Sequence, residues 1–316
     1  MDPRRFRLLA LTVPVATFLV VFGLTLAFQD DGGVTKQSRA ASPGPPATGE
    51  RLVFTLSAGS IEPAEGYLAT AGLDGSGLTE ITEPPEGGLA ADMSPSVSPD
   101  GRTIAFARAV PGDSPHVYLV GVDGSGLHRI SDVPEAEISP VWSPDGTRLA
   151  FSRVVGDRFE LFVADADGSE PVRLTHTQRA DEDLPSWSPN GAQIAFTRFA
   201  HDNEDLWVVD ADGANAHALL RGRHEDSSPA WGPDGARIAI VRDGRIALFT
   251  FERFGVAYLT PASAVKDAGP AWSPDGTQIV FTRDPGTLLL MDAEGSTPTP
   301  VPLDGKATGA TWVPSP

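Results

Sequence analysis

Five acidic residues recur at one phase of a repeated stretch: Asp92, Glu137, Glu182, Asp226 and Asp267 stand five positions before Val97, Trp142, Trp187, Trp231 and Trp272. Carboxylates gathered in one place repel one another unless a cation answers them, so such a set is a candidate site for a metal ion or for a basic residue of a partner. Its structural alternative is a set of loop-fixing hydrogen bonds to backbone amides. A second cluster is His201-Asp202-Asn203-Glu204-Asp205. Its residue types suit a hard cation or zinc, with His201, Asp202, Glu204 and Asp205 as ligands. It has no EF-hand spacing, and a solvated loop is its alternative. Asp165-Ala166-Asp167-Gly168 and Asp210-Ala211-Asp212-Gly213 look like calcium-loop fragments but read as hairpin turns. His176 and His224, with Asp181, Asp183 and Glu225 nearby, are the residues for an acid–base or zinc constellation. Their offsets from Trp187 and Trp231 are 11 and 7, so the spacing does not imply convergence. No cofactor is expected beyond a divalent cation such as calcium.

The elements that position these residues follow from a repeat. Pro140-Val141-Trp142-Ser143-Pro144-Asp145-Gly146 returns at Pro185–Gly191, Pro229–Gly235 and Pro270–Gly276, and an earlier copy, Pro95–Gly101, has Val97 in place of tryptophan. From Val97 to Trp272 the steps are 45, 45, 44 and 41 residues, a period that marks a repeat architecture. Each copy reads as four short strands. The first ends at the tryptophan, and Ser-Pro-Asp-Gly makes the turn. The second alternates, as in Gln193-Ile194-Ala195-Phe196-Thr197-Arg198. The third is richer in apolar residues, an Asp-Gly turn follows, and the fourth is short. Four strands in roughly 40–45 residues make one blade of a β-propeller.

The ends supply the remaining blade. Trp312 brings one first strand, and Arg51–Thr55, Tyr67–Ala71 and Leu78–Thr82 match a second, third and fourth. The expected fold is all-β: a six-bladed propeller over 51–316, closed by one C-terminal and three N-terminal strands. Pairing the two ends removes exposed edges. The run Asp-x-x-Pro-x-Trp-Ser-Pro-Asp-Gly with Ile-Ala-Phe after it resembles the TolB-type, WD-repeat-like propellers of bacteria. The resemblance covers residues 51–316. Related repeats occur in periplasmic scaffolds, surface-anchored proteins and non-catalytic domains of serine peptidases, so it implies the fold more than a function.

Ahead of the repeats, residues 1–7 hold Arg4, Arg5 and Arg7, and residues 8–28 are apolar without a charge. As a helix this stretch reaches about 31 Å, the thickness of a bilayer core. The arginines before it and Asp30 and Asp31 after it predict a cytoplasmic N-terminus and a single-pass anchor, with the propeller outside the cytoplasm, in the periplasm or at the cell surface. Secretion after signal cleavage is the alternative. Residues 29–50, with Ser42-Pro43-Gly44-Pro45-Pro46, read as a linker.

The first 50 residues hold five Lys/Arg and four Asp/Glu, which leaves 19 and 38 for residues 51–316, a net charge of −19. That body disfavours nucleic acid and favours basic proteins or metal cations. Absence of cysteine excludes thiolate metal sites, cysteine nucleophiles and lipid acylation at cysteine. No Gly-x-Ser-x-Gly elbow, His-Glu-x-x-His helix or phosphate loop appears. The expected function is a membrane-tethered, non-catalytic platform for an envelope protein or peptide with a basic patch. The alternative is a small hydrolase or lyase using channel-mouth carboxylates and a cation.

Overall fold

The computed structural model of the chain describes residues 50–57, 65–83 and 90–314. The expected segment 1–7, the membrane helix 8–28 and all but the last residue of the linker 29–50 lie outside the described residues. Among the described residues every element is a β-strand, and no helix is long and apolar enough to cross a membrane.

The chain begins with β1 (Arg51–Ser57), β2 (Glu65–Gly72) and β3 (Thr79–Glu80), followed by β4 (Ala90–Val97), β5 (Thr103–Ala109), β6 (His116–Gly121) and β7 (His128–Arg129). Then come β8 (Glu137–Trp142), β9 (Arg148–Val155), β10 (Arg158–Asp165) and β11 (Val172–Arg173). The next set is β12 (Asp181–Trp187), β13 (Gln193–Ala200), β14 (Asn203–Asp210) and β15 (His217–Leu220). It is followed by β16 (Asp226–Trp231), β17 (Arg237–Arg242), β18 (Arg245–Thr250) and β19 (Gly255–Tyr258). The last are β20 (Asp267–Trp272), β21 (Gln278–Arg283), β22 (Thr287–Asp292), β23 (Thr299–Pro300) and β24 (Lys306–Val313).

Strands β8–β11, β12–β15, β16–β19 and β20–β23 form four antiparallel sheets of four strands. The remaining eight form one sheet: β24 pairs with β1, β1 with β2 and β2 with β3, and two parallel partners, Glu65↔Ala90 and Gly66↔Ala91, join this set to β4–β7. The first strands β4, β8, β12, β16, β20 and β24 each touch the next, and β24 touches β4, so they close a ring. The fold is that of a β-propeller.

Local chemistry explains the hairpins. In Ser143-Pro144-Asp145-Gly146, the Ser143 hydroxyl donates to Asp145 Oδ1 at 2.6 Å, and the same oxygen accepts the Thr147 amide at 3.0 Å. Gly146 takes φ 70°, where a side chain is disfavoured. The same hydroxyl–carboxylate contact forms at Ser98–Asp100 and Ser273–Asp275. Gly232 has no hydroxyl to give, and there Arg237 Nε donates to Asp234 Oδ2 at 2.7 Å.

The second strands depart from the alternation read in the sequence. Ile104–Ala107, Ile194–Thr197, Ile238–Val241 and Ile279–Thr282 are buried at every position. Each sheet is covered on both faces by its neighbours, and such strands read as continuous apolar runs. One core cluster mixes Ala150, Leu161 and Val163 with Trp187, Ile194 and Phe196 of the next sheet. The tryptophans also tie neighbours together through Nε1: Trp187 donates to Val141 O at 3.3 Å, Trp272 to Ala230 O at 2.9 Å and Trp312 to Ala271 O at 3.1 Å.

Candidate functional site at the central cavity

The five repeated carboxylates do not ring a channel mouth. Each is buried, at 2 % exposure or less, and each faces an arginine on the adjacent second strand. The cross-strand partners are Asp92↔Arg108, Glu137↔Arg153, Glu182↔Arg198, Asp226↔Arg242 and Asp267↔Arg283. Arg108, Arg242 and Arg283 grip their carboxylates through both Nε and Nη2, as in Nε–Oδ1 at 2.6 Å and Nη2–Oδ2 at 2.8 Å for Arg242 and Asp226. Such two-point pairing is strong and directional. Several arginines also lie over aromatic rings: Arg153 is 4.7 Å from the Phe162 centroid and Arg198 is 3.5 Å from that of Trp207. Burial pushes the Asp92, Glu182 and Asp226 carboxyls up, with hydrogen bonds and the arginine charge acting against it. Hydrogen bonding to Asp226 and Asp267 pushes the Arg242 and Arg283 guanidinia up. Each carboxylate is thus partnered by a guanidinium rather than by the backbone amides expected of a loop-fixing role.

The sixth first strand shows the same position without charge. Ala307 stands where the acids stand, and its cross-strand partner is Leu56, where the arginines stand. Both are buried in one apolar cluster. Acid and base have been replaced together, as a shared pairing role requires.

The second candidate cluster is divided by a hairpin. His201 and Asp202 are the exposed central residues of the β13–β14 turn, with φ 54° and 60°, and Ala200 pairs with Asn203 across it. Two residues of positive φ match the twist of a tight hairpin. Asp205 accepts from Asn203 Nδ2 at 2.8 Å, and Glu204, its neighbour on an alternating strand, faces the other way. Burial pushes the Glu204 carboxyl up, opposed by a hydrogen bond from Ser227. Among the described residues no group of three or more His, Asp or Glu could hold a metal ion. His176 is exposed, and His224 Nδ1 lies 2.7 Å from Asp243 Oδ2. Asp181 is held by Arg158, and Asp183 accepts from Ser152 at 2.8 Å. These groups have separate partners and do not converge.

A further feature, not expected from the repeat, shapes the centre. Every first strand carries a bulge, where its register with the second strand shifts. A residue of positive φ marks each one: Ser94, Ser139, Leu184, Ser228, Gly269 and Gly309, at 50° to 61°. Proline follows five of the six. Proline inside a strand belongs at an edge or a bulge, so Pro95, Pro140, Pro185, Pro229 and Pro270 were the available signal. The bulge residues of all six strands wall a central cavity of about 870 Å³. Its lining is mostly apolar with serine and threonine hydroxyls, and among the described residues Asp284 and Lys306 are its charged members. The five repeated carboxylates are absent from it.

Comparison with known proteins agrees with this architecture. A TolB from Acinetobacter baumannii has 23% sequence identity and a TM-score of 0.72, over 84% of this chain and 67% of that one. A chain of a nidogen/laminin complex has 13% identity and a TM-score of 0.68, over 84% and 98%. An oligogalacturonate lyase from Vibrio parahaemolyticus has 15% identity and a TM-score of 0.52, over 74% and 70%. At these identities the likeness is one of fold. No curated protein is significantly similar in sequence. The family model described as the TolB beta propeller domain matches residues 46–316, and the chain belongs to that family.

Proposed function

We propose that this chain is a six-bladed propeller acting as a non-catalytic binding platform in the cell envelope. It engages a protein or peptide at the mouth of its central cavity. The cavity carries this reading: at about 870 Å³ it falls within the range of ligand pockets, and all six first strands wall it. Six blades are supported by four separate four-stranded sheets, the set β24-β1-β2-β3 and the set β4–β7 around one ring. Envelope tethering is supported by the uncharged apolar stretch 8–28 behind three arginines, with the propeller placed outside the cytoplasm. The net charge of −19 over residues 51–316 draws cationic partners at long range.

The hydrolase or lyase alternative needs an acid and a base free to act on one substrate. The five repeated carboxylates are each held by an arginine, which removes the residues that reading relied on. The test is to immobilise the full-length chain in an envelope extract, beside a Leu184→Arg chain of equal melting temperature. Leu184 lines the cavity, and arginine there obstructs it. A partner retained by the wild type and lost with Leu184→Arg supports the platform. Retention by both chains alike rejects the cavity as the contact.

A further inference from the structure

Among the described residues there are two lysines, Lys266 and Lys306, and they hold equivalent places. Each immediately precedes the first-strand position otherwise occupied by the buried acid, Asp267 in one case and its replacement Ala307 in the other. Lys266 immediately precedes β20, Lys306 opens β24, and the two strands are neighbours. The corresponding residues elsewhere around the ring are Ala91, Ala136, Asp181 and Glu225. Of the two lysines, Lys306 lines the central cavity, while the Lys266 side chain packs against Gly244. Neither lysine forms an ion pair with any described residue. This matters in a body so acidic, where a lysine has many possible partners.

An unsatisfied hydroxyl on β21 lines the same cavity as Lys306. Thr282 lines the cavity, is 5 % exposed, and its Oγ1 has no hydrogen-bond partner among the described residues. Its hydroxyl-bearing counterparts are engaged, and the remaining two, Ala107 and Val241, carry no hydroxyl. Thr55 Oγ1 donates to Asp92 O at 2.9 Å, Ser152 Oγ to Asp183 Oδ1 at 2.8 Å, and Thr197 Oγ1 accepts the Ser228 amide at 3.0 Å. A buried polar group without a partner is a cost that a ligand can remove. Asp284 lines the same wall but lies beyond ion-pair distance of both lysines. Lys306 is the cation of this wall and is not paired with Asp284, so its ammonium is free to meet a single carboxylate. The nearby Arg283 is occupied by Asp267, so no guanidinium fork is available for a phosphate.

We propose that this wall is a carboxylate-binding subsite, in which Lys306 and the Thr282 hydroxyl meet the carboxylate oxygens. The body of the ligand occupies the uncharged remainder of the cavity and therefore carries little charge itself. The proposal deepens the platform reading and rests on it for the position of the ligand. The carboxylate belongs to a peptide C-terminus, an acidic side chain or a small acid.

The test titrates the full-length chain with four probes: acetyl-tetraalanine as the free acid, the same peptide as its amide, acetyl-Ala-Glu-Ala-Ala-amide, and butyrate. At least one carboxylate probe is expected to bind, with the tetraalanine amide about tenfold or more weaker than the best of them, as for a lost charge-assisted contact. Which of the three binds identifies the source. Lys306→Met is expected to weaken that probe about tenfold and Thr282→Val a few-fold. No binding by any carboxylate probe, equal binding of the amide, or an unchanged affinity in Lys306→Met overturns the proposal. The acid–amide comparison uses the wild type and so does not depend on how a variant folds. Carboxylate binding without a retained partner would keep the subsite and remove the platform; a retained partner indifferent to Lys306→Met would do the reverse.

Discussion

Asp226 and Arg242 bury two opposite charges at a position where Ala307 and Leu56 bury none. Breaking a buried pair leaves a charge uncompensated, whereas replacing both members with apolar residues is often neutral or better. Arg242→Leu alone is therefore expected to lower unfolding stability by about 3–5 kcal/mol in urea melts, and Asp226→Ala with Arg242→Leu to restore most of the loss. Equal losses in the single and double variants would contradict the pairing account. The exposed turn carboxylates behave differently. Hydrogen bonds from the Ser143 hydroxyl, then from the Thr147 amide and hydroxyl, lower Asp145 to about 2. A carboxyl lowered in the folded state contributes stability above its unfolded value, and that contribution is lost as pH falls through the folded value. The melting-temperature gap between wild type and Asp145→Ala is thus expected to be constant near neutral pH and to close from about pH 4 to pH 2. The period of the acids was plain in the sequence, and so was an arginine sixteen residues after each of them. That offset places acid and base opposite each other across a hairpin; read without it, the acids resemble a ligand ring.

At the scale of the strand, turns and bulges account for the repeat. Ser-Pro-Asp-Gly and Asp-Gly were readable because their φ requirements and local hydrogen bonds lie within a few residues. The continuous burial of the second strands was not, since it depends on neighbouring sheets covering both faces. The bulges fell between these cases: proline announced them, but their common direction towards the axis comes from the ring. The tryptophan at the end of the first strand is an element-level device, and at Trp187, Trp272 and Trp312 its Nε1 joins the sheet to the one before. Trp272→Phe keeps most of the apolar contact and loses the Nε1 bond to Ala230 O. Its expected cost is about 1 kcal/mol, the net value of one hydrogen bond, measured by urea unfolding. A loss several times larger would mean that the indole contributes chiefly through packing shape.

For the whole molecule, closure places strands from both chain ends beside each other and leaves one cavity walled by the six first strands. The matching of Arg51–Thr55 and Trp312 to different parts of one repeat was visible in the sequence; the contents of the cavity were not, because they depend on where bulges aim. In the proposed function the buried acids hold the sheets and the cavity wall binds the partner. The most direct test measures the affinity of the partner retained by the wild-type chain for two variants of equal melting temperature. One is Leu184→Arg and the other is Asp226→Ala with Arg242→Leu. Loss of at least tenfold in affinity with the first and no change with the second is the predicted result. The opposite pattern, with the cavity variant binding normally and the uncharged pair abolishing the partner, would contradict the account and return the binding role to the acids.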